Sequence, residues 1–360
     1  MPGKDRGLVA ITGANGTIGY ACAVHALQSK YRVRCVVRRE DAFETIKSGL
    51  SMQQYLDKLE HAIVPDNAAE NTYDDALAGV KYVVHIAGTW PLPHLHPDNQ
   101  IYSPFIKSTK NIISAAEKSG TVKRIVFTQA GAGLIDSEVG DTYGADMKQV
   151  LDENVQVNQS ALTYRPPLKS PHQAYCASKS QCMTYLNDLQ NSKILPFDIV
   201  QVIPGTVIGP SEFVTTRSEA IKHIDRQTKA LLFDDMIPRY AFGFVHVQDC
   251  ARVHVEALDE RRVQGKKLPK WFVAAATTEE GVDGQKMWVK AADMVEREFG
   301  DEVNEGVFKV GRSKVPTNMP YRVESGFTEG ALMNGEAFRS FEECVQEVAQ
   351  WYLRLKMDGE

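Results

Sequence analysis

Tyr175 and Lys179 stand four residues apart in the stretch AYCASK, a spacing that puts both on one face of a helix. An ammonium beside a phenol favours the phenolate and draws its pKa down from about 10. Such a phenol can give a proton to a carbonyl oxygen or take one from an alcohol, and the lysine can also hydrogen-bond a ribose. Upstream, the strand-like run KRIVFT ends at Thr128 and is followed by Gln129, Ala130 and Gly131. Residues two apart on a strand share a face, so the Thr128 hydroxyl is a candidate donor beside the phenol. The alternative reading makes Thr128 a plain β-former on a buried strand. The Gln129 amide would reach the same place only through a bend at Ala130–Gly131.

These groups need something held against them, and TGANGTIG, residues 12–19, supplies it. It follows an apolar run directly and opens a helical stretch, the setting of a dinucleotide loop. Gly13 would permit the tight turn, Gly16 the approach of backbone to a pyrophosphate, and Gly19 close packing of helix on sheet. The helix N-terminus favours the anion. Asn15, Thr17 and Ile18 count with the three glycines as cofactor-binding positions. The next apolar run ends in VVRRE. A carboxylate there would suit a ribose 2'-hydroxyl, whereas an arginine suits a 2'-phosphate. Arg38, with Arg39 next, therefore favours NADP over NAD. The other reading is a solvated arginine pair answering Glu40 and Asp41.

The elements that must position these loops alternate regularly. Apolar runs at 8–12, 31–37, 61–64, 81–87, 123–128 and 197–203 read as strands. Helical patterns at 17–29, 42–60, 72–79, 103–119 and 173–192 separate them. Strands apolar throughout and separated by helices imply a doubly wound parallel sheet of the Rossmann type, with ligands at the C-terminal strand ends. Residues 1–204 and about 244–262 are assigned to this dinucleotide domain. A smaller C-terminal substrate-binding lobe takes about 205–243 and 263–360, some segments returning to the main domain. Residues 215–233 read as one helix, 249–262 as a helix with Asp249 as N-cap, 270–276 as a strand, and 285–299 and 337–356 as helices.

With 360 residues, net charge -5 and pI near 6.0, the chain advertises no basic surface for nucleic acid or anionic membrane. No apolar run is long enough to span a bilayer, and the N-terminus runs into a strand without room for a signal sequence. The six cysteines show no metal-ligand spacing and read as buried reduced thiols of a cytoplasmic protein. His94 and His96 in the proline-stiffened loop TWPLPHLHPDN lack a third nearby ligand, so no metal is expected. Trp90 and His94 are candidate pocket residues, the stretch 136–172 is expected to flank the cleft, and Arg217 and His223 could contact substrate or form a solvated basic face.

The chain resembles extended short-chain dehydrogenases/reductases of the NAD-dependent epimerase/dehydratase superfamily, in the branch of dihydroflavonol reductase, cinnamoyl-CoA reductase and fungal ketoreductases. The segments that carry the resemblance are TGANGTIG, VVRRE, Asp66-Asn67-Ala68, AGVKYVVHIAG, SPFIKSTKNII, VKRIVFT, AYCASK, PFDIVQVIPGTVIGP and FVHVQDCARVHVEAL, spanning about residues 8 to 258 in order. The resemblance implies that Asp66 and Asn67 sit at the adenine, Ala87 beside the cofactor, and Pro204 and Val207 at the nicotinamide end. It implies a small-molecule substrate and permits a monomer or homodimer, while His85 belongs to the strand pattern and reads as structural. In that family a serine stands two residues after the strand-ending threonine and hydrogen-bonds the substrate carbonyl. Here the position is Ala130. Loss of one such donor costs on the order of 3 kcal/mol, about a hundredfold in rate. The reading that follows is NADP-dependent reduction of a ketone or aldehyde, with Tyr175 as proton donor. Its rivals are a redox-neutral isomerase, cyclase, dehydratase or epimerase on the same fold, and an NADP-sensing protein.

Overall fold

Nine strands order the described part of the chain: β1 (Leu8–Thr12), β2 (Arg32–Val37), β3 (Leu59–Ile63), β4 (Tyr82–His85), β5 (Arg124–Thr128), β6 (Asp198–Pro204), β7 (Thr206–Ile208), β8 (Phe244–His246) and β9 (Phe272–Ala274). This computed structural model describes residues 5–136, 150–192, 195–236, 243–263, 268–278, 282–314 and 322–357. Seven strands form one sheet in the order β3-β2-β1-β4-β5-β6-β9, every pairing parallel. The order reverses between β1 and β4, which opens a crevice beyond their C-terminal ends. β1 is buried along its whole length, as expected of a strand covered on both faces.

The helices are α1 (Thr17–Gln28), α2 (Glu40–Ser48), α3 (Ser103–Ser119), α4 (Gln159–Thr163), α5 (Pro171–Ser192), α6 (Arg217–His223), α7 (Arg226–Phe233), α8 (Val247–Glu256), α9 (Val282–Glu298), α10 (Gly300–Asn304), α11 (Gly326–Leu332) and α12 (Phe341–Arg354). Alternation along the strands divides the core. Val9, Ile11 and Val126 pack with Cys22, Ala23, Ala251 and Val253 of α1 and α8. Ala10, Val83, Ile125 and Phe127 pack with Ile112, Ala116 and Leu186 of α3 and α5. The first of these clusters continues without interruption through Trp288 of α9 to Val348 and Trp351 of α12.

Several expected elements are shorter or divided. The helix expected over 42–60 breaks at Gly49, and 3-10 turns follow over Leu50–Lys58. A side chain at Gly49 would meet Tyr20 Oη at 2.0 Å, so only glycine lets the chain cross that ring. The helix expected over 72–79 is a 3-10 turn, Asp75–Leu77. Residues 215–233 form two helices, because Asp225 caps α7 by accepting the Gln227 and Thr228 amides. Asp249 is not the N-cap of α8. That role falls to His246, whose ring accepts the Gln248 amide, while Asp249 lies in the first turn and pairs with Arg339 at 3.0 Å. The strand expected over 270–276 forms as β9, Phe272–Ala274, and joins the main sheet as a seventh strand beside β6.

Gly19 sits where α1 crosses the turn after β1, and a Cβ there would lie 2.1 Å from Gly13 O and 2.8 Å from Ala14 Cα. Backbone cannot yield cheaply, so Gly19→Ala is expected to destabilise the fold by about 1–3 kcal/mol. Dinucleotide affinity should fall about tenfold as α1 is pushed off its seat. Thermal melting and calorimetric titration with NADPH check both effects.

Candidate active site

The crevice floor is the turn after β1. Gly13 adopts φ +69°, and its amide donates to Val36 O at 3.1 Å. A side chain there would press on Ala87 Cα at 3.1 Å. The Ile86 and Ala87 amides both donate to Thr12 Oγ1, at 3.0 and 3.1 Å, so the Thr12 hydroxyl must donate to His85 Nδ1 at 3.0 Å. His85 Nε2 then donates to Ser108 Oγ at 3.3 Å. Burial lowers the His85 pKa to about 3, so the ring is a neutral strut between β1, β4 and α3. Thr12 has no distinguishing signal in the sequence, and this part of the site is legible only in the structure.

The glycine loop fits a dinucleotide phosphate. Gly16 precedes α1 in extended backbone with no side-chain cap, and the first turn, which contains Thr17, Ile18 and Gly19, carries no acidic residue. Asn15 is exposed at the tip of this turn. Uncapped amides and a positive helix end are what a pyrophosphate needs. At the end of β2, Arg39 is paired with Asp41 at 3.0 Å, whereas exposed Arg38 makes no ion pair among the described residues. Asp66 lies exposed beyond β3 with its carboxylate on the Ala68 amide at 2.8 Å, and the Asn67 carbonyl accepts from Asn111 at 3.1 Å. Pro204 ends β6 and Val207 is the middle residue of β7, both partly exposed.

α5 carries Tyr175 and Lys179 on one face, as their spacing requires. Lys179 is only 7% exposed. Its Nζ donates to Thr128 O at 3.0 Å and lies 4.7 Å from the Phe105 ring centre and 5.9 Å from the Tyr175 ring centre. A Cβ on Gly88 would meet the Phe105 ring at 2.4 Å, so that glycine makes room for the ring. Neither Phe105 nor Gly88 stands out in the sequence except as a small residue after an apolar strand.

The expected acidification of Tyr175 is not what this geometry produces. Burial is the largest influence and pushes the Tyr175 phenol above its ordinary value. It also brings the Lys179 ammonium down to about 8. The lysine spends its hydrogen bond on a carbonyl at the end of β5, and no described residue hydrogen-bonds the Tyr175 hydroxyl.

Thr128 is likewise not available to a substrate. His254 Nδ1 lies 2.7 Å from Cys250 O, and a carbonyl only accepts, so that nitrogen carries the proton. Nε2 is then an acceptor, and the Thr128 hydroxyl donates its one proton to it at 2.9 Å. Thr128 therefore faces α8, on the side of the sheet away from α5. The Gln129 amide is held by Gln201 at 2.7 Å and does not swing toward the phenol. Ala130 and Tyr175 both pack on the small cluster of Ala132, Ile135 and Cys176. On its other flanks the phenol ring meets Phe105 at 5.6 Å and Trp90 at 5.8 Å.

Other expected contacts take structural parts. His96 caps the turn Pro97–Tyr102 by accepting the Asp98 and Asn99 amides, and His94 is exposed. Arg217 bonds Leu353 O at 3.3 Å and His223 lies against Trp351 at 5.9 Å, so both dock α6 on α12. Of the stretch 136–172, residues 137–149 lie outside the described residues, and the Tyr164 hydroxyl donates to Asp136. All six cysteines are buried and unbridged.

Residues 9–269 match the model of the NAD dependent epimerase/dehydratase family. The chain belongs to that family. It is 26% identical over 364 residues to Ketoreductase CTB6 of Cercospora nicotianae, covering 97% of this chain and 95% of that one. It is 30% identical over 273 residues, 74% of this chain and 77% of the relative, to an uncharacterized oxidoreductase of Schizosaccharomyces pombe. Among solved structures it superposes on the yeast methylglyoxal/isovaleraldehyde reductase Gre2 complexed with NADPH, with a TM-score of 0.73 and 21% identity, over 96% of this chain and 98% of that one. This last likeness shows the fold.

Two outcomes follow from the hydrogen-bond assignments. Thr128→Val leaves the buried His254 nitrogen unpaired and should cost about 1–3 kcal/mol in denaturant titration. Turnover should stay within a few-fold of the parent, and a hundredfold fall in kcat would place the hydroxyl in the chemistry. Lys179→Met removes an ammonium whose folded pKa of about 8 lies below its ordinary 10.5. Below pH 8 the folded state must carry that charge in a dry site, and the penalty fades as pH rises toward 10.5. The variant should therefore melt higher than the parent at pH 7 and lose that advantage by pH 10.

Proposed function

We propose that this protein is an NADPH-dependent carbonyl reductase, acting on a ketone or aldehyde of a small or medium organic molecule. The observation that carries the reading is the juxtaposition at the end of β5: Tyr175 and Ala130 on one small apolar cluster and buried Lys179 anchored on Thr128 O, in a fold whose α1 N-terminus is uncapped. Bound there, NADPH would supply hydride. The named ketoreductase and oxidoreductase relatives support the same class of chemistry. Arg38, exposed and outside any described ion pair, supports a 2'-phosphate and hence NADP over NAD.

In this reading the chain's residues divide the work. Gly13, Asn15, Gly16, Thr17, Ile18 and Gly19 would hold the phosphates, Asp66 and Asn67 the adenine end, and Ala87, Pro204 and Val207 the nicotinamide end. Tyr175 enters as a neutral phenol and gives its proton to the carbonyl oxygen as negative charge develops there. Lys179 orients the ribose and stabilises the phenolate that results. Thr128 positions the lysine through its backbone carbonyl and not through its hydroxyl.

Ala130 favours a second reading, in which Tyr175 serves a redox-neutral isomerisation or dehydration and no net cofactor is consumed. Absorbance at 340 nm separates the two: the reductase consumes NADPH with each turnover on its ketone. Tyr175→Phe should lower that rate by about 10²–10⁴ while leaving NADPH affinity within a few-fold. Unchanged turnover in the variant would remove the proton donor assigned here.

A further inference from the structure

Lys179 is not the only link between α5 and the end of β5. After Asp198, β6 is apolar except at Gln201, which is 1% exposed. Gln201 lies opposite Phe127 in the parallel register and faces α5. A buried amide in such a strand is unfavourable unless it is paired, and here both its ends are. The Met183 carbonyl can only accept, so Gln201 turns Nε2 to α5, donating to Met183 O at 3.3 Å and to Asn187 Oδ1 at 2.9 Å. Its Oε1 is left to accept from Gln129 Nε2 at 2.7 Å. Gln129 is 4% exposed and shares one peptide with Thr128, whose N–H donates to Val202 O at 2.7 Å. The carbonyl of that same peptide accepts from Lys179 at 3.0 Å. Lys179, Met183 and Asn187 are spaced by four along one face of α5. Two ties therefore run in parallel from α5 to the end of β5, one through an ammonium and one through neutral amides.

Resting on the reductase reading, we infer that Gln201 is a positioning residue for the reaction: through Gln129 it fixes the Thr128–Gln129 peptide and so aims the Thr128 carbonyl at the Lys179 ammonium. It acts through Gln129 and Lys179, not by contact with the reacting atoms. A peptide is planar, so turning its carbonyl turns its N–H as well. The chain Asn187–Gln201–Gln129 and the Val202 carbonyl oppose that turn from two directions. Without the chain, the ammonium loses the dipole that supports its charge, and the phenolate formed at Tyr175 loses an ammonium in a set place. The titratable groups facing Lys179 among the described residues are Tyr175 and Cys182 of its own helix and His85 of β4. Burial keeps all three neutral near pH 8, where the lysine itself titrates, so the Thr128 carbonyl and the face of Phe105 hold the charge.

Gln201→Met keeps the side chain's length while ending the amide chain. On a ketone that the parent reduces, kcat should fall about tenfold, while KM and the Kd of NADPH stay within about threefold. Gln129→Met should do the same, and the double variant should be no slower than either single one, because both break one chain. Parent-like kcat in both single variants overturns the inference. So does a loss of about a hundredfold in the double variant, which marks two independent effects. A readout free of turnover is the titration of Lys179, followed by NMR at its ε carbon and identified by its loss in Lys179→Met. The midpoint should lie lower in Gln201→Met than in the parent by about half a pH unit or more, since a less supported ammonium gives up its proton sooner. If the single variant folds poorly, the double variant, in which neither glutamine is left facing an apolar partner, should show the same lowered midpoint. Equal midpoints overturn the positioning role whatever the reaction. Failure of the parent to oxidise NADPH with aliphatic or aromatic ketones overturns the reductase reading instead, and a lowered midpoint then still upholds the placement of Lys179 by Gln201.

Discussion

A lysine ammonium in a dry place is the constraint around which this site is arranged. Lys179 is buried, and an ion out of water must be paid back by dipoles or opposite charge. The Thr128 carbonyl and the face of Phe105 provide that compensation. Because the partner is a backbone oxygen at the end of β5, the hydrogen bond ties α5 to the sheet edge. Tyr175, one turn earlier, is placed with it. Gly88 belongs to the same arrangement, since any side chain there would expel the ring on which the ammonium rests.

The same dryness sets the proton chemistry. Burial stabilises neutral forms, lifting the phenol and lowering the ammonium at once. A phenol that stays protonated at neutral pH is in the state required to donate. Its conjugate base is served by an ammonium that becomes more valuable as charge forms. In the proposed reduction the pair would serve the charge that develops during reaction more than the resting state, which is the sense in which such sites favour the transition state.

Hydrogen-bond arithmetic explains why the strand-ending threonine offers no help. His254 has one donor and one acceptor, and the Cys250 carbonyl claims the donor. What remains can only accept, so the Thr128 proton is drawn to α8. Burial holds His254 near pKa 4, which keeps that assignment fixed across the physiological range. Thr128 shares the α8 face with Val126, as strand alternation requires, whereas Ala130, beyond the end of β5, joins the cluster that includes Tyr175.

The parallel sheet and the glycine turn follow from local pattern. β1 and α3 lie where the apolar periodicity puts them, because parallel strands buried on both faces leave little freedom to be polar. Gly13 and Gly19 are readable for a similar reason, since one turns at φ +69° and a Cβ on the other would strike Gly13 O. Tyr175 and Lys179 share a face by helical spacing alone. What spacing could not carry was the environment of each group: which hydroxyl is already engaged, which ring covers the ammonium, and in which direction burial moves a pKa. The pairing of Asp249 with Arg339 and the place of β9 beside β6 belong to the same class, since each depends on residues distant in the chain. Local sequence fixes what a segment can be, because backbone preference and periodicity are short-ranged. Only the folded chain decides what each side chain touches, because hydrogen bonds and desolvation are settled by neighbours that the sequence places 51 and 126 residues away.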